Sequence, residues 1–258
     1  MSIFELISTN WELILSFFTV AILYASVGFG GGSSYLAILA LAAILSYTEI
    51  RSTSLLCNIV VVSNSFILYY KNGYYKSSKV LPLIITSIPL AFLGGYLRID
   101  ETLFFLLLGA TLLIASILIF ISKKTVTESK TLTSEKKNIT QGATYGGAIG
   151  FLSGMVGIGG GIFLAPLLHL TKWDTPKKIA ATASLFILVN SIAGLSGQML
   201  NPNFCINVEL TLLLVSTTLI GGQIGTRLSI KHIKPLVLKK TTAILIAFVA
   251  LKILFKYI

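Results

Sequence analysis

Apolar stretches long enough to cross a bilayer follow one another along almost the whole chain, and this constrains the fold more than any other feature. They occupy 52–70, 80–97, 102–122, 179–200, 208–228 and 236–255. Each is roughly 18–22 residues, the length of helix that covers a hydrocarbon core about 30 Å thick. Shorter apolar stretches, 11–27 with 33–46 and 140–156 with 162–170, come in pairs, and each pair is split by a glycine cluster. Charge is correspondingly scarce. Only 11% of the 258 residues are charged and 55% are hydrophobic, whereas a soluble domain carries about 25% charge. There is too little charge to coat a water-exposed globule, so the lipid bilayer must cover most of the surface.

The net charge of +11 does not imply a nucleic-acid partner. The Lys and Arg residues fall in short loops between apolar stretches, where they orient membrane helices, and none forms a basic stripe on an amphipathic element. Cys57 and Cys205 have neither metal-ligand spacing nor a disulfide framework; Cys57 lies in an apolar stretch as a small hydrophobe. The start of the chain, 1–11, contains Glu5 but no Lys or Arg. It therefore lacks the basic region of a cleavable signal peptide.

The chain repeats itself. Val27-Gly28-Phe29-Gly30-Gly31-Gly32 matches Val156-Gly157-Ile158-Gly159-Gly160-Gly161 at an offset of 129. Weaker echoes at 130 pair Ser54-Leu55 with Ser184-Leu185 and Gly95 with Gly225. The polar stretch 123–138 holds Lys123, Lys124, Lys130, Lys136 and Lys137 against Glu128 and Glu135, and it is the one segment resembling a solvated linker. The expected organisation is a first transmembrane repeat over 1–122, a cytoplasmic linker over 123–138 and a second transmembrane repeat over 139–258.

Loop charge sets the expected topology. With the linker inside, counting back places Lys71, Lys76 and Lys79 inside and the 47–51 and 98–101 turns outside. Counting forward places Lys172, Lys177 and Lys178 inside, the uncharged loop 201–207 outside, and Arg227, Lys231, Lys234, Lys239 and Lys240 inside. Every Lys and Arg except Arg51, Arg98, Lys252 and Lys256 then lies inside. This requires each glycine-broken pair to enter and return on one side, since a single kinked crossing would put 172–178 and 227–240 outside. Each half thus becomes a hairpin plus three spans. Three is odd, so the halves sit with opposite orientations. The expected fold is an all-α polytopic membrane protein of two inverted-topology repeats, each a glycine-broken (re-entrant or hairpin) helix pair followed by three transmembrane helices.

The two GxGGG runs are the expected site. Three adjacent glycines destabilise a helix by about 1 kcal/mol each, and non-helical backbone at membrane depth survives only inside protein or against a wet cavity. A break exposes the orphan N–H groups and positive dipole end of the following half-helix, which bind an anion without Lys or Arg. The candidate residues are Gly30, Gly31, Gly32, Ser33 and Ser34 after the first break and Gly159, Gly160, Gly161 and Ile162 after the second. Asn58 and Asn190 are added as oriented amide donors among the polar residues Ser63, Asn64, Ser65, Thr182, Ser184, Ser191 and Gln198. Gly94/Gly95, Gly142/Gly146/Gly150 and Gly221/Gly225 are assigned to close helix packing. Pro166 is expected to kink or end its half-helix and Pro89 to bend the third segment. His169 is placed near the cytoplasmic end of 162–170.

Asp and Glu are missing from the middle of every apolar stretch, so a proton relay has no obvious carboxylate. No metal cluster and no phosphate-binding loop appears, and no nucleophile/base pair lies within the membrane. The expectation is a non-enzyme without cofactor or metal, whose partners are a small anionic substrate and the bilayer; the sequence is compatible with a homo-oligomer.

The paired glycine signatures resemble those of the TauE/SafE sulfite exporter family. So do the run from Ile162 to Leu168 (Ile-Phe-Leu-Ala-Pro-Leu-Leu) and the run from Ile220 to Leu228 (Ile-Gly-Gly-Gln-Ile-Gly-Thr-Arg-Leu). The first half departs from the pattern: it lacks the counterpart of Pro166, and Gly95-Tyr96-Leu97-Arg98 is a weak counterpart of Gly225-Thr226-Arg227. The resemblance covers essentially the whole chain. It implies a multi-pass transporter of the bacterial inner membrane for sulfur-containing inorganic or organic anions. An anion channel using the same dipoles and an accessory subunit of a transport complex are the alternatives.

Overall fold

The structure is a computed structural model that describes residues 3–26, 28–75, 77–97, 99–121, 135–171, 173–202, 204–228, 247, 250–251 and 253–255. Among the described residues all regular structure is helical. In chain order the helices are α1 (Ile3–Thr9), α2 (Trp11–Ala25), α3 (Gly32–Ala42), α4 (Tyr47–Lys71), α5 (Ser77–Tyr96), α6 (Glu101–Ile121), α7 (Glu135–Val156), α8 (Gly161–Leu170), α9 (Pro176–Met199) and α10 (Val208–Leu228). Four of them, α4, α6, α9 and α10, are long and apolar enough to cross a membrane. The outward-facing side chains agree: Ile85 is 60% exposed and Leu212 60%, an apolar surface that suits lipid rather than water.

The sequence expectations meet the helices closely, with instructive exceptions. The linker 123–138 and the basic loop after Arg227 lie almost entirely outside the described residues, as do Val27, Arg98 and Lys172; 135–138 already belong to α7. Of the last apolar stretch only a few helical residues are described, with Ala250 and Ile253 buried. The stretch expected at 33–46 stops at Ala42, and the 47–51 turn is helix. The cause is a capping box: the Ser46 hydroxyl accepts from the Glu49 N–H while the Glu49 carboxylate accepts from the Ser46 N–H, which satisfies two orphan donors and starts α4 early. Arg51 is thereby drawn into the helix and is 2% exposed, which corrects its expected place in an external turn. Pro166 does not end its half-helix. Helix α8 runs through it to Leu170, because only the Ile162 carbonyl loses its donor and the buried Phe163, Leu164 and Leu168 hold the turn in the core.

Helices α3 and α8 are 11 and 10 residues long, or about 15 Å at 1.5 Å per residue, half a hydrocarbon core. Both are sequestered by protein. The chain reverses at the first break: Phe17 and Tyr35 stack at 4.6 Å, although 18 residues of straight helix would hold them about 27 Å apart. A Cβ at Gly31 would meet Val20, and one at Gly160 would meet Ile149, both at the 129 offset.

Packing between the halves is reciprocal. Helix α5 lies on α7 and α9, α10 lies on α2 and α4, and α4 lies on α9. Glycine carries the closest approaches: Gly146, Gly150 and Gly154 face the Leu83, Ser87 and Ala91 backbone, and Gly221 and Gly225 face that of Phe18 and Ile22. The loops group at two ends. Lys177 donates to the Tyr74 hydroxyl at 3.5 Å, whereas Asn201 donates to the Tyr96 carbonyl and Ser52 to the Cys205 carbonyl.

Candidate functional site

Each glycine run performs two backbone tasks. Helix α2 ends with Phe29 N–H donating to the Tyr24 carbonyl, and α7 ends with Ile158 N–H donating to the Ser153 carbonyl. This six-to-one bond closes a helix over a left-handed glycine, and Gly28 and Gly157 supply it with φ of 84° and 87°. The next helices then start from a second left-handed residue, Gly31 at φ 85° and Gly160 at φ 82°, where a side chain would be strained.

The two breaks meet, and Asn58 joins them. Its Oδ1 accepts from the Gly32 N–H at 2.9 Å, and its Nδ2 donates to the Ile158 carbonyl at 2.8 Å. Ser54, one turn earlier on the same face of α4, donates to the Gly32 carbonyl at 2.9 Å. There is no room for side chains here: a Cβ at Gly159 would lie 2.6 Å from Asn58 Nδ2 and 2.7 Å from Ser191 Oγ. Gly30 and Gly32 press on the same amide. Ser191 Oγ, buried beside Gly159, has no hydrogen-bond partner among the described residues.

Of the residues expected from sequence, Gly30, Gly32, Gly159 and Asn58 therefore converge, while Gly31, Gly160 and Gly161 shape the turns. Ser34 is committed elsewhere, 2.8 Å from the Tyr24 hydroxyl. Asn190 bonds within its own helix, Nδ2 to the Phe186 carbonyl, with Oδ1 buried; among the described residues Oδ1 has no partner and no bond ties Asn190 to either break. The orphan amides are partly used as well. Gly32 is held by Asn58, Ser34 and Tyr35 by the Gly31 carbonyl, and Phe163 and Leu164 by the Gly160 carbonyl. These bonds leave Ser33, Gly161 and Ile162 N–H as the half-helix donors, with Ser33 buried and Ile162 half-buried. Sequence reasoning passed over Ser54 and Arg51. Their spacing from Asn58 (i, i+3, i+7) marks one helical face and could have found them.

Ser191→Ala is the mildest probe of this cluster. Because the hydroxyl bonds nothing among the described residues, the variant is expected to keep its stability within about 0.5 kcal/mol of the parent. A small ligand held by this hydroxyl should bind about 3–10-fold more weakly, the worth of one hydrogen bond. Ligand titration and thermal unfolding on the same preparation check it.

These features define a multi-pass helical membrane protein with two broken helices joined at its centre. A family model described as "Sulfite exporter TauE/SafE" matches residues 13–253, and the chain belongs to that family. It is 32% identical over 248 residues to "Probable membrane transporter protein y4hK" of Sinorhizobium fredii, covering 94% of this chain and 97% of that one. It is 27% identical over 249 residues to "Probable membrane transporter protein MJ0441" of Methanocaldococcus jannaschii, 86% and 88% of the two chains. A third relative, "Probable membrane transporter protein YunE" of Bacillus subtilis, is 32% identical over 83 residues, 32% and 30% of the two chains. No solved structure matches the chain.

Proposed function

We propose that the protein is a secondary transporter of a small anion, a sulfur-containing oxyanion or organosulfonate, working by alternating access in a bacterial inner membrane. The observation that carries this reading is the meeting of the two glycine breaks at buried Asn58, which accepts from the Gly32 N–H at the start of α3 and donates to the Ile158 carbonyl within the second break. Two positive dipole ends and the remaining amides of Ser33, Gly161 and Ile162 offer donors, and the Ser191 hydroxyl can turn its O–H the same way, which favours an anion. The family and the names of the relatives are those of membrane transporters.

The inverted repeat belongs to the same reading. It is supported by the chain reversal at the first break, the exchange of α5 and α10 between halves, and the grouping of loops at two ends. In this reading two contacts act as the covers of the cluster: on one side Tyr75 reaches Ser184 at 3.1 Å, and on the other Ser52, near the start of α4, donates to the Cys205 carbonyl. Alternating access then amounts to opening one cover at a time.

Proteoliposome uptake of labelled sulfite, thiosulfate and 2-aminoethanesulfonate tests the reading. Saturable uptake with counterflow is expected for at least one. Unitary conductance steps would instead identify a channel, and no flux of any anion would sink the anion reading.

A further inference from the structure

Arg51 is the one side chain in the described core whose charge nothing in the fold accounts for. It is 2% exposed, and no ion pair joins it to a carboxylate among the described residues. Its Nη2 donates to two carbonyls, Gly95 at 3.4 Å and Gly154 at 3.3 Å. Both are long beside the roughly 2.7–2.9 Å of a charge-assisted bond. Its Nε is buried with no partner among the described residues. A neutral amide could cap the ends of α5 and α7 equally well, so carbonyl capping alone does not call for a guanidinium. A permanent charge inside a membrane protein is costly and marks function.

Its position fits the breaks. Arg51, Ser54 and Asn58 share one face of α4, with Arg51 about 10 Å along the axis from Asn58. A Cβ at Gly157, the first glycine of the second break, would lie 3.1 Å from Arg51 Cα. We infer that Arg51 is the fixed cation of the anion site, its planar fork taking the oxyanion or sulfonate group beside the second break. The assignment rests on the anion-transport reading. The fork matches two oxygens of such a group at once, and the weak carbonyl contacts are ones an arriving anion can displace.

The test is anion uptake by full-length protein in proteoliposomes, with sulfite, thiosulfate and 2-aminoethanesulfonate as probes. R51K keeps the charge and loses the fork; its KM should rise about tenfold, with turnover within about threefold. R51Q should fall below about a tenth of parental uptake. Leu55, one turn beyond Arg51, reaches within 3.7 Å of the Cβ position of Gly194, whose carbonyl faces Gly95. L55E places an internal carboxylate there, should pair with Arg51, and should fold yet lose uptake, while the uncharged L55Q transports. Folded R51Q or L55E with parental KM overturns the assignment. If neither folds, R51K decides, and an unchanged KM overturns it. Absence of flux from the parent protein would instead remove the transport reading, and the assignment with it.

Discussion

Replacing Asn58 by leucine is expected to remove transport altogether and most of the folded protein with it. Among the described residues the amide is the one side chain hydrogen-bonded to both breaks, and both partners are main-chain atoms: the Gly32 N–H and the Ile158 carbonyl. Leucine leaves each of them buried without a bond, at about 1–3 kcal/mol apiece. Two such losses amount to roughly 2–6 kcal/mol against a typical total stability of about 5–15 kcal/mol. Asn58→Asp separates the structural role from the functional one. The carboxylate still accepts from Gly32 but cannot donate to Ile158, and it puts negative charge where the proposed anion would rest. It should therefore fold better than Asn58→Leu and transport no better. Thermal unfolding of purified protein in detergent gives the first quantity and proteoliposome uptake the second. An Asn58→Leu protein that melts and transports like its parent would detach the breaks from one another and from function.

The backbone plan was legible in the sequence because glycine and apolar length act locally. The repeated GxGGG runs locate both breaks to the residue, since a helix that closes on one left-handed glycine and restarts on another requires them at that spacing. Side-chain direction was less legible. Helix α4 is buried on several faces, from Arg51 to Asn58 and again at Val61, Val62 and Ser65, so its composition gives no amphipathic stripe from which to orient Asn58. Both amides were therefore equally good candidates, and only packing separates Asn58, which reaches both breaks, from Asn190, which reaches neither. Arg51 was misplaced for a different reason. A charge near the end of an apolar stretch usually marks a loop, and the Ser46–Glu49 capping box that lengthens α4 outranks that tendency here. Contacts between a loop residue and a helix distant in sequence, such as Tyr75 with Ser184 on α9, are encoded by no local pattern.

The glycines of α7 should divide sharply in an alanine scan, although all of them sit in one helix. Alanine is favoured over glycine in a helix interior by about 1 kcal/mol, so the sign of each change depends on what the new Cβ meets. At Gly142 it would find Pro82 Cβ and Trp173 at 3.5 Å, ordinary contact, and Gly142→Ala should be neutral or slightly stabilising. At Gly154 it would meet the main chain of Ala91, with the carbonyl carbon at 2.8 Å and Cα at 2.9 Å, and at Gly150 the Ser87 carbonyl at 2.7 Å. Backbone cannot swing aside as a side chain can, so α5 has to move off α7. Such overpacking costs about 1–3 kcal/mol, a melting shift of roughly 2–12 °C downward at this chain length. The same logic crosses the repeat. A Cβ at Gly94 would press on the Phe151 main chain and one at Gly225 on that of Ile22, and Phe151 and Ile22 stand at the 129 offset of the two breaks. Gly94→Ala and Gly225→Ala should therefore lower the melting temperature by similar amounts. If only one of them does, the two halves do not pack as equivalent units, and a mechanism that exchanges their roles loses its basis.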